Sequence, residues 1–263
     1  MGNNINDGYA DSNRFSDKAL LIYNDFLHSG KFLTHYKWLK NAAETYDIKL
    51  ELMGNSEFLC SYGTSFDKEL IETLGKYRFI LFWDKDIRLG KKFTNICKKI
   101  NIPIYNNIRA IADCDDKSAT YEKIGQWNDC HDTLEQIKMI PTIVAPMTYE
   151  NIGYTDMNFL DKVAEKFGFP FVIKECFGSF GMQVYMAHDM DELKKRVSDI
   201  GGKPMIFQKF IEKSSGFDVR LQVVGDEVVA AMYRYTDDGD FRANITHGGK
   251  MKSYEPDASE IKL

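Results

Sequence analysis

Residues 171–185 read Phe-Val-Ile-Lys-Glu-Cys-Phe-Gly-Ser-Phe-Gly-Met-Gln-Val-Tyr, and they constrain the fold more than any other stretch. Phe171, Val172 and Ile173 form a short apolar run of the kind found in buried strands. Gly178 and Gly181 then allow a tight loop, because glycine takes backbone angles that other residues avoid. Residues 182–186 read as a second strand, so the glycines join strand to strand. A P-loop would carry Gly-Lys-Ser/Thr at the opening of a helix, and that pattern is absent from this stretch. Two readings stay open for it alone. One is an ordinary hairpin. The other is a flap in which the bare backbone N–H groups of Gly178, Ser179, Phe180 and Gly181 fold over phosphates, with Lys174 at the base as a point charge.

The elements upstream predict a different architecture. Residues 19–24 and 79–83 are apolar strands, 48–53 alternates like a strand, and 103–106 is a short one. Helical spacing covers 35–46, with helices also expected over 65–77 and 89–100. Strand–helix–strand alternation implies a parallel sheet with covering helices, so residues 19–112 read as a small α/β domain. Residues 1–16 are rich in Asn, Asp, Gly and Ser, and a flexible leader is expected over 1–18. Trp83-Asp84-Lys85-Asp86 follows the apolar strand, at a position that is either a solvated turn or the edge of a ligand crevice. Asn106 and Asn107 carry the same ambiguity.

Residues 113–117 open a helix, and Lys117 in its first turn opposes the helix dipole, so its side chain either is solvated there or serves something else. A strand at 141–144 and a helix at 158–167, closed by Gly168 and Pro170, lead to the glycine loop. After it come a helix at 190–200 and a strand at 205–210. Strands at 218–224 and 227–234 then flank a Gly225-Asp226 turn, residues 241–244 are expected to continue their antiparallel sheet, and 257–263 starts a helix.

Composition excludes several classes. A net charge of −5 with no like-charge run argues against nucleic acid as a partner by bulk electrostatics. Cys60, Cys97, Cys114, Cys130 and Cys176 are scattered and contain no C-x-x-C pair, which argues against a disulfide framework or structural zinc. No apolar run approaches about 18 residues and no apolar signal segment opens the chain, so a soluble cytoplasmic protein without a membrane partner is the expectation. Cys176 has no histidine partner at readable distance, and the five histidines share no metal-ligand spacing.

An ordered constellation runs through the second half. Lys117 is followed by Lys174 with the glycine loop, then by Gln208, Lys209, Phe210 and Ile211. Asp218, Arg220, Arg234, Arg242, Ala243 and Asn244 come next, before Gly248-Gly249. This order resembles an ATP-grasp ligase of the RimK (ribosomal protein S6 modification) type, a family that joins a carboxylate to an amine while splitting ATP to ADP. The resemblance covers roughly residues 113–263, divided at 205/206 into two subdomains, and it makes 19–112 the smaller domain that precedes an ATP-grasp. It implies that Lys117 and Lys174 touch ATP phosphates, that the flap spans Gly178–Gly181, and that Gln208, Lys209, Phe210 and Ile211 form a hinge meeting the adenine. Gln208 stands where relatives often have Glu, and its amide oxygen can still accept from the adenine amino group. Asp218 would hold the ribose. Arg220, Arg234, Arg242 and Asn244 would surround the transferred phosphoryl, with Arg242, Ala243 and Asn244 also among the nucleotide contacts.

The residue types suit that chemistry. Attack of a carboxylate on a phosphoryl group brings two anions together, which fixed Lys and Arg charges make less unfavourable. A flap keeps water from the acyl-phosphate. The resemblance further implies two Mg²⁺ held by an Asp and a Glu-x-Asn, and no such motif occurs before Leu263. The expectation is therefore an ATP-grasp domain lacking its C-terminal, metal-binding end. Its implied partners are a small-molecule or peptide carboxylate, an amine acceptor, and a further copy of the chain in a homo-oligomer. The competing expectations are a nucleotide-binding regulatory module without catalysis and a small-molecule kinase on the same fold.

Overall fold

Strand β1 (Lys18–Tyr23) is buried on both faces, and the two cores of the first unit grow from it. The computed structural model describes residues 17–27, 29–62 and 66–261, which fall into two units, Met1–Cys114 and Asp115–Leu263. In the first unit β1 is followed by α1 (Gly30–Glu44), β2 (Lys49–Gly54), α2 (Phe66–Leu74), β3 (Ile80–Trp83), α3 (Ile87–Lys99), β4 (Ile104–Tyr105) and α4 (Ile108–Asp115). The four strands form a parallel sheet in the order β2-β1-β3-β4. Alternate residues of β1 point to opposite faces. Ala19 and Leu21 meet α1 through Tyr36, Leu39 and Ala43, whereas Leu20 and Ile22 join Leu70, Leu74, Leu89, Phe93 and Ile96 of α2 and α3. A near-continuous apolar run is what a strand covered on both sides requires.

Helix α3 starts where Asp86 Oδ1 accepts the Leu89 N–H at 2.9 Å, and it ends with Lys98 and Lys99 in its last turn, complementing the dipole. Its Gly90 is a packing requirement. A Cβ there would stand 2.1 Å from Ile108 Cδ1 and 3.0 Å from Phe82 Cε1. Gly90→Ala is expected to destabilise the protein by about 1–3 kcal/mol through overpacking, despite a helix-propensity gain of about 1 kcal/mol. Urea denaturation monitored by circular dichroism would measure this, and an unchanged or raised midpoint would refute the close-packing account.

The second unit continues with α5 (Lys117–Asp129), β5 (Thr142–Val144), α6 (Phe159–Phe167), β6 (Phe171–Glu175), β7 (Val184–Ala187), α7 (Met190–Ile200) and β8 (Met205–Lys209). β9 (Phe217–Val224), β10 (Glu227–Tyr235), β11 (Lys250–Ser253) and α8 (Ala258–Ile261) follow. One antiparallel sheet has the order β5-β8-β6-β7 and the other the order β11-β10-β9. On the first, Phe171, Ile173, Met205 and Phe207 pack against Leu160 and Val163 of α6 and Leu193 and Val197 of α7. The fold is thus α/β, with antiparallel sheets in its second part.

Several local expectations need correction. Helix α1 begins at Gly30, ahead of the periodic residues from 35, and α4 was not anticipated. Asp113 and Asp115 end α4 rather than open a helix. It is Asp116 that caps α5, its Oδ1 accepting the Ser118 N–H at 2.8 Å. Residues 241–244 do not extend the sheet, and its third strand is β11, where Met251 lies opposite Arg234. Aspartates in the loop bind its backbone instead: Asp238 Oδ1 accepts the Asp240 N–H at 3.0 Å, and Asp240 Oδ1 accepts the Arg242 N–H at 2.9 Å. Such local bonds compete with a strand ladder. The leader lies outside the described residues up to residue 16, as do position 65 of the second helix and the last two residues of the chain. All five cysteines are free thiols, and no helix among the described residues is long and apolar enough to cross a membrane.

Candidate functional site

Strand alternation decides which residues of β6 and β8 can meet a ligand. With Phe171, Ile173 and Phe207 turned to the helices, Val172, Lys174 and Gln208 occupy the opposite face. Val172 lies opposite Gln208, and Lys174 lies opposite Val184 on one side and Ile206 on the other. Gln208 is 2 % exposed, and its Nε2 donates to the Tyr121 hydroxyl of α5 and to Thr142 Oγ1 of β5, the latter at 2.9 Å. Both amide protons are engaged, which leaves the carbonyl oxygen as the group able to accept from a ligand.

Beyond Lys209 the chain turns through Phe210, Ile211 and a 3-10 turn (Glu212–Ser214) into β9. The segment from Phe241 to Asn244 closes the other side, with the Phe210 and Phe241 rings edge to face at 6.3 Å. These elements enclose a pocket of ≈ 200 Å³. Nine of the expected site residues line it: Lys174, Gln208, Lys209, Phe210, Ile211, Asp218, Arg242, Ala243 and Asn244. Sequence reasoning missed Ile140, Val172, Val184, Ser214, Phe217 and Phe241, of which Val172 was readable from its alternation with Phe171 and Ile173. The volume is below the range of about 300–1,000 Å³ common for drug-sized ligands, and it suits one flat heterocycle between aliphatic and aromatic walls.

The glycine loop joins two antiparallel strands, β6 and β7, as both of its readings require. Glu175 N–H donates to Gln183 O at 3.1 Å across its base, and Met182 N–H donates to Ser179 O at 3.3 Å within it. Gly178, Phe180 and Gly181 all have positive φ, of 140°, 63° and 77°. Gly181 approaches the 241–244 segment so closely that a Cβ would lie 2.6 Å from Asn244 Oδ1, and Arg242 Nη1 donates to Gly181 O at 3.4 Å. Lys117 stands at the flap base, its Nζ donating to Cys176 O at 3.2 Å and Gly178 O at 3.4 Å. Burial and the charge of Lys117 together push the Lys174 ammonium below the ordinary lysine range. Two lysines close enough for the charge of one to act on the other form an arrangement that suits an anion.

The charged residues of the second sheet are arranged differently from the linear pattern. Arg234 and Asp218 lie opposite each other on β10 and β9 and form a two-pronged pair, with Nε to Oδ1 at 2.7 Å and Nη2 to Oδ2 at 2.5 Å. Asp218 lines the pocket, whereas Arg234 and Arg220 do not. Burial first, and Arg234 second, lower the Arg220 guanidinium from its usual value. Arg242 is held by Asp240 through Nη2 to Oδ2 at 2.7 Å and Nε to Oδ1 at 3.0 Å. That bond holds the Asp240 carboxyl below the ordinary aspartate range. Among the described residues no group of three or more His, Cys, Asp or Glu side chains is placed to hold a metal ion.

The two antiparallel sheets, the glycine flap and the pocket beside the hinge define an ATP-grasp fold. The crystal structure of a RimK domain ATP-grasp protein from Sphaerobacter thermophilus matches with a TM-score of 0.58 at 15% identity, covering 86% of this chain and 75% of that one. The model of the RimK-like ATP-grasp domain matches residues 127–263, more than half of the sequence, and the chain belongs to that family. An uncharacterised protein of Mycoplasma pneumoniae is 29% identical over 246 residues, which are 92% of this chain and 78% of that protein. Human N-acetylaspartylglutamate synthase A is 28% identical over 172 residues, 63% of this chain and 38% of the synthase.

Proposed function

We propose that this chain is an ATP-dependent carboxylate–amine ligase that adds glutamate or another amino acid to a peptide or small-molecule carboxylate. The convergence of hinge, Lys174, Asp218 and the 242–244 segment on one base-sized pocket carries the reading. Adenine enters between Val172, Phe210 and Phe241, its amino group donating to the Gln208 oxygen. The phosphates extend toward Lys174 and Lys117 beneath the flap. The substrate carboxylate oxygen attacks the γ-phosphorus, the bond to the β-phosphate oxygen breaks, and ADP leaves. The amine nitrogen then attacks the acyl carbon, loses a proton, and phosphate departs. Lys174 and Lys117 reduce the anion–anion repulsion of the first step. The flap, resting on Arg242 and Asn244, keeps water from the acyl-phosphate of the second. Mg²⁺ accompanies ATP in this family, but the described residues offer it no ligand cluster, and no step here is assigned to it. The human relative is an N-acetylaspartylglutamate synthase, which supports an amino-acid acceptor.

The test is ADP release from the full chain with Mg-ATP, L-glutamate and a panel of carboxylates that includes N-acetylaspartate. Release that requires both a carboxylate and the amine supports the reading. ATP consumption indifferent to both, or phosphate found on an alcohol, would replace it with a hydrolase or kinase.

A further inference from the structure

An amide has two ends of nearly equal size and opposite hydrogen-bonding sense: its oxygen accepts and its nitrogen donates. Which end of Gln208 faces the pocket therefore decides what the pocket takes, and the neighbouring bonds decide the end. Thr142 lies directly opposite Gln208 in the pairing of β5 with β8. Its hydroxyl donates to the Ile140 carbonyl oxygen at 2.8 Å. A carbonyl can only accept, so the one hydroxyl proton is committed there. Toward Gln208, 2.9 Å away, Thr142 Oγ1 has only lone pairs to offer, and the amide must supply a proton from Nε2. The Tyr121 hydroxyl takes the second Nε2 proton, but a phenol hydroxyl both donates and accepts and would tolerate either end. Thr142 is thus the residue that fixes the orientation.

Turning the amide over would set Gln208 Oε1 against the Thr142 lone pairs. The side chain is almost wholly buried, where an unmatched polar contact is strongly unfavourable. Gln208 lines the pocket, and its two partners do not, so each acts on a ligand through the amide.

We propose that Thr142 is a positioning residue that sets the nucleobase specificity of this pocket. By holding the Gln208 oxygen toward the base, it selects a purine with an exocyclic amino group and rejects one with a carbonyl in the same place. The proposal rests on the nucleotide reading given above. The amino group donates to Oε1, whereas a carbonyl would meet that oxygen with its own, and neither has a proton to offer. Rejection of this kind is strong because a buried polar group is left unpaired.

Calorimetry on the full chain would compare ADP with inosine diphosphate, in which a carbonyl replaces the amino group and the adjacent ring nitrogen gains a proton. The wild type is expected to bind ADP at least about 30-fold more tightly, and Thr142→Val to lower that ratio by about ten-fold, the worth of one buried hydrogen bond. Thr142→Ser keeps the hydroxyl and is expected to keep the ratio. Tyr121→Phe is expected to lower it less than about three-fold, since the Thr142 bond remains. Gln208→Glu added to Thr142→Val is expected to restore the preference, because both carboxylate oxygens accept. A ratio near one in the wild type, or one that Thr142→Val leaves unchanged while both nucleotides bind, would overturn the proposal and leave the nucleotide reading standing. Binding of neither nucleotide would overturn both. The orientation itself is read without nucleotide, from the side-chain amide signals of isotope-labelled protein. The two Gln208 amide protons are expected to exchange slowly with solvent in the wild type and faster in Thr142→Val. Rapid exchange in the wild type would remove the lock.

Discussion

Replacing Lys174 with alanine is expected to weaken ATP binding by about 10- to 100-fold, the worth of a hydrogen-bonded charge, and to lower ADP formation by about 10²- to 10³-fold. The native fold holds this lysine partly buried beside Lys117, with its pKa lowered by both. Between that lowered value and 10.5 the unfolded chain binds more protons than the native one. Stability therefore rises with pH across the window, and the charged ammonium is a cost to the empty protein below it. A bound phosphate reverses the preference by favouring the charged form. ATP affinity is thus expected to be full below the native Lys174 pKa and to fall as pH rises through it, with proton uptake on binding above it. Lys174→Ala should lose that pH step without lowering the melting temperature of the empty protein. Calorimetry across pH in buffers of different ionisation enthalpy reads both quantities. A variant that binds ATP as the wild type does would remove Lys174 from the site, and a variant that melts early would make its role structural.

Phe207→Ala carries the largest expected loss of stability, about 3–5 kcal/mol. Phe207 is fully buried on β8, the strand between β5 and β6, and its ring meets Phe171 edge to face at 6.2 Å and Phe159 at 6.4 Å. Truncation leaves a cavity between the sheet and α6 and α7 that these rings cannot close without leaving their own contacts. Phe207→Leu retains most of the volume and is expected to cost less than about 1.5 kcal/mol. Gln208 is the next residue on the same strand and lines the pocket proposed for the nucleotide, so ATP affinity should fall with stability in the alanine variant and recover in the leucine one. Denaturant titration with and without ATP makes the comparison. A loss under about 1 kcal/mol in Phe207→Ala would mean that the strand is held by other contacts.

How much of this was legible differs from residue to residue. The apolar runs at 19–24 and 79–83 announced strands covered on both faces, because burial of both faces leaves no room for polar alternation. The order Lys174, hinge, Asp218, Arg242, Asn244, read through resemblance, picked out residues that the structure gathers around one pocket. The same reading expected Arg220 and Arg234 around the transferred phosphoryl; the pairing of Arg234 with Asp218 across two strands was not legible in it. Residues 241–244 looked like a strand because Phe and Arg suit one. The aspartates at 238 and 240 turned the backbone into a loop through bonds that a propensity scan does not weigh.

By itself, the sequence determined the elements whose signal is local: the apolar strands, the glycine hairpin, most of the helices, and the class of chemistry its ordered cations suit. Only the tertiary structure decided which face of β6 and β8 lines a pocket, that Gln208 spends both amide protons on Tyr121 and Thr142, that the glycine loop lies against Arg242 and Asn244, and that one oxygen of Asp84 has no donor among the described residues. The physical reason is range. Strand and turn preferences arise within a few residues of backbone sterics and burial period. A hydrogen-bond partner 66 or 87 residues away in the chain, as for Gln208, exists only once the sheet has assembled.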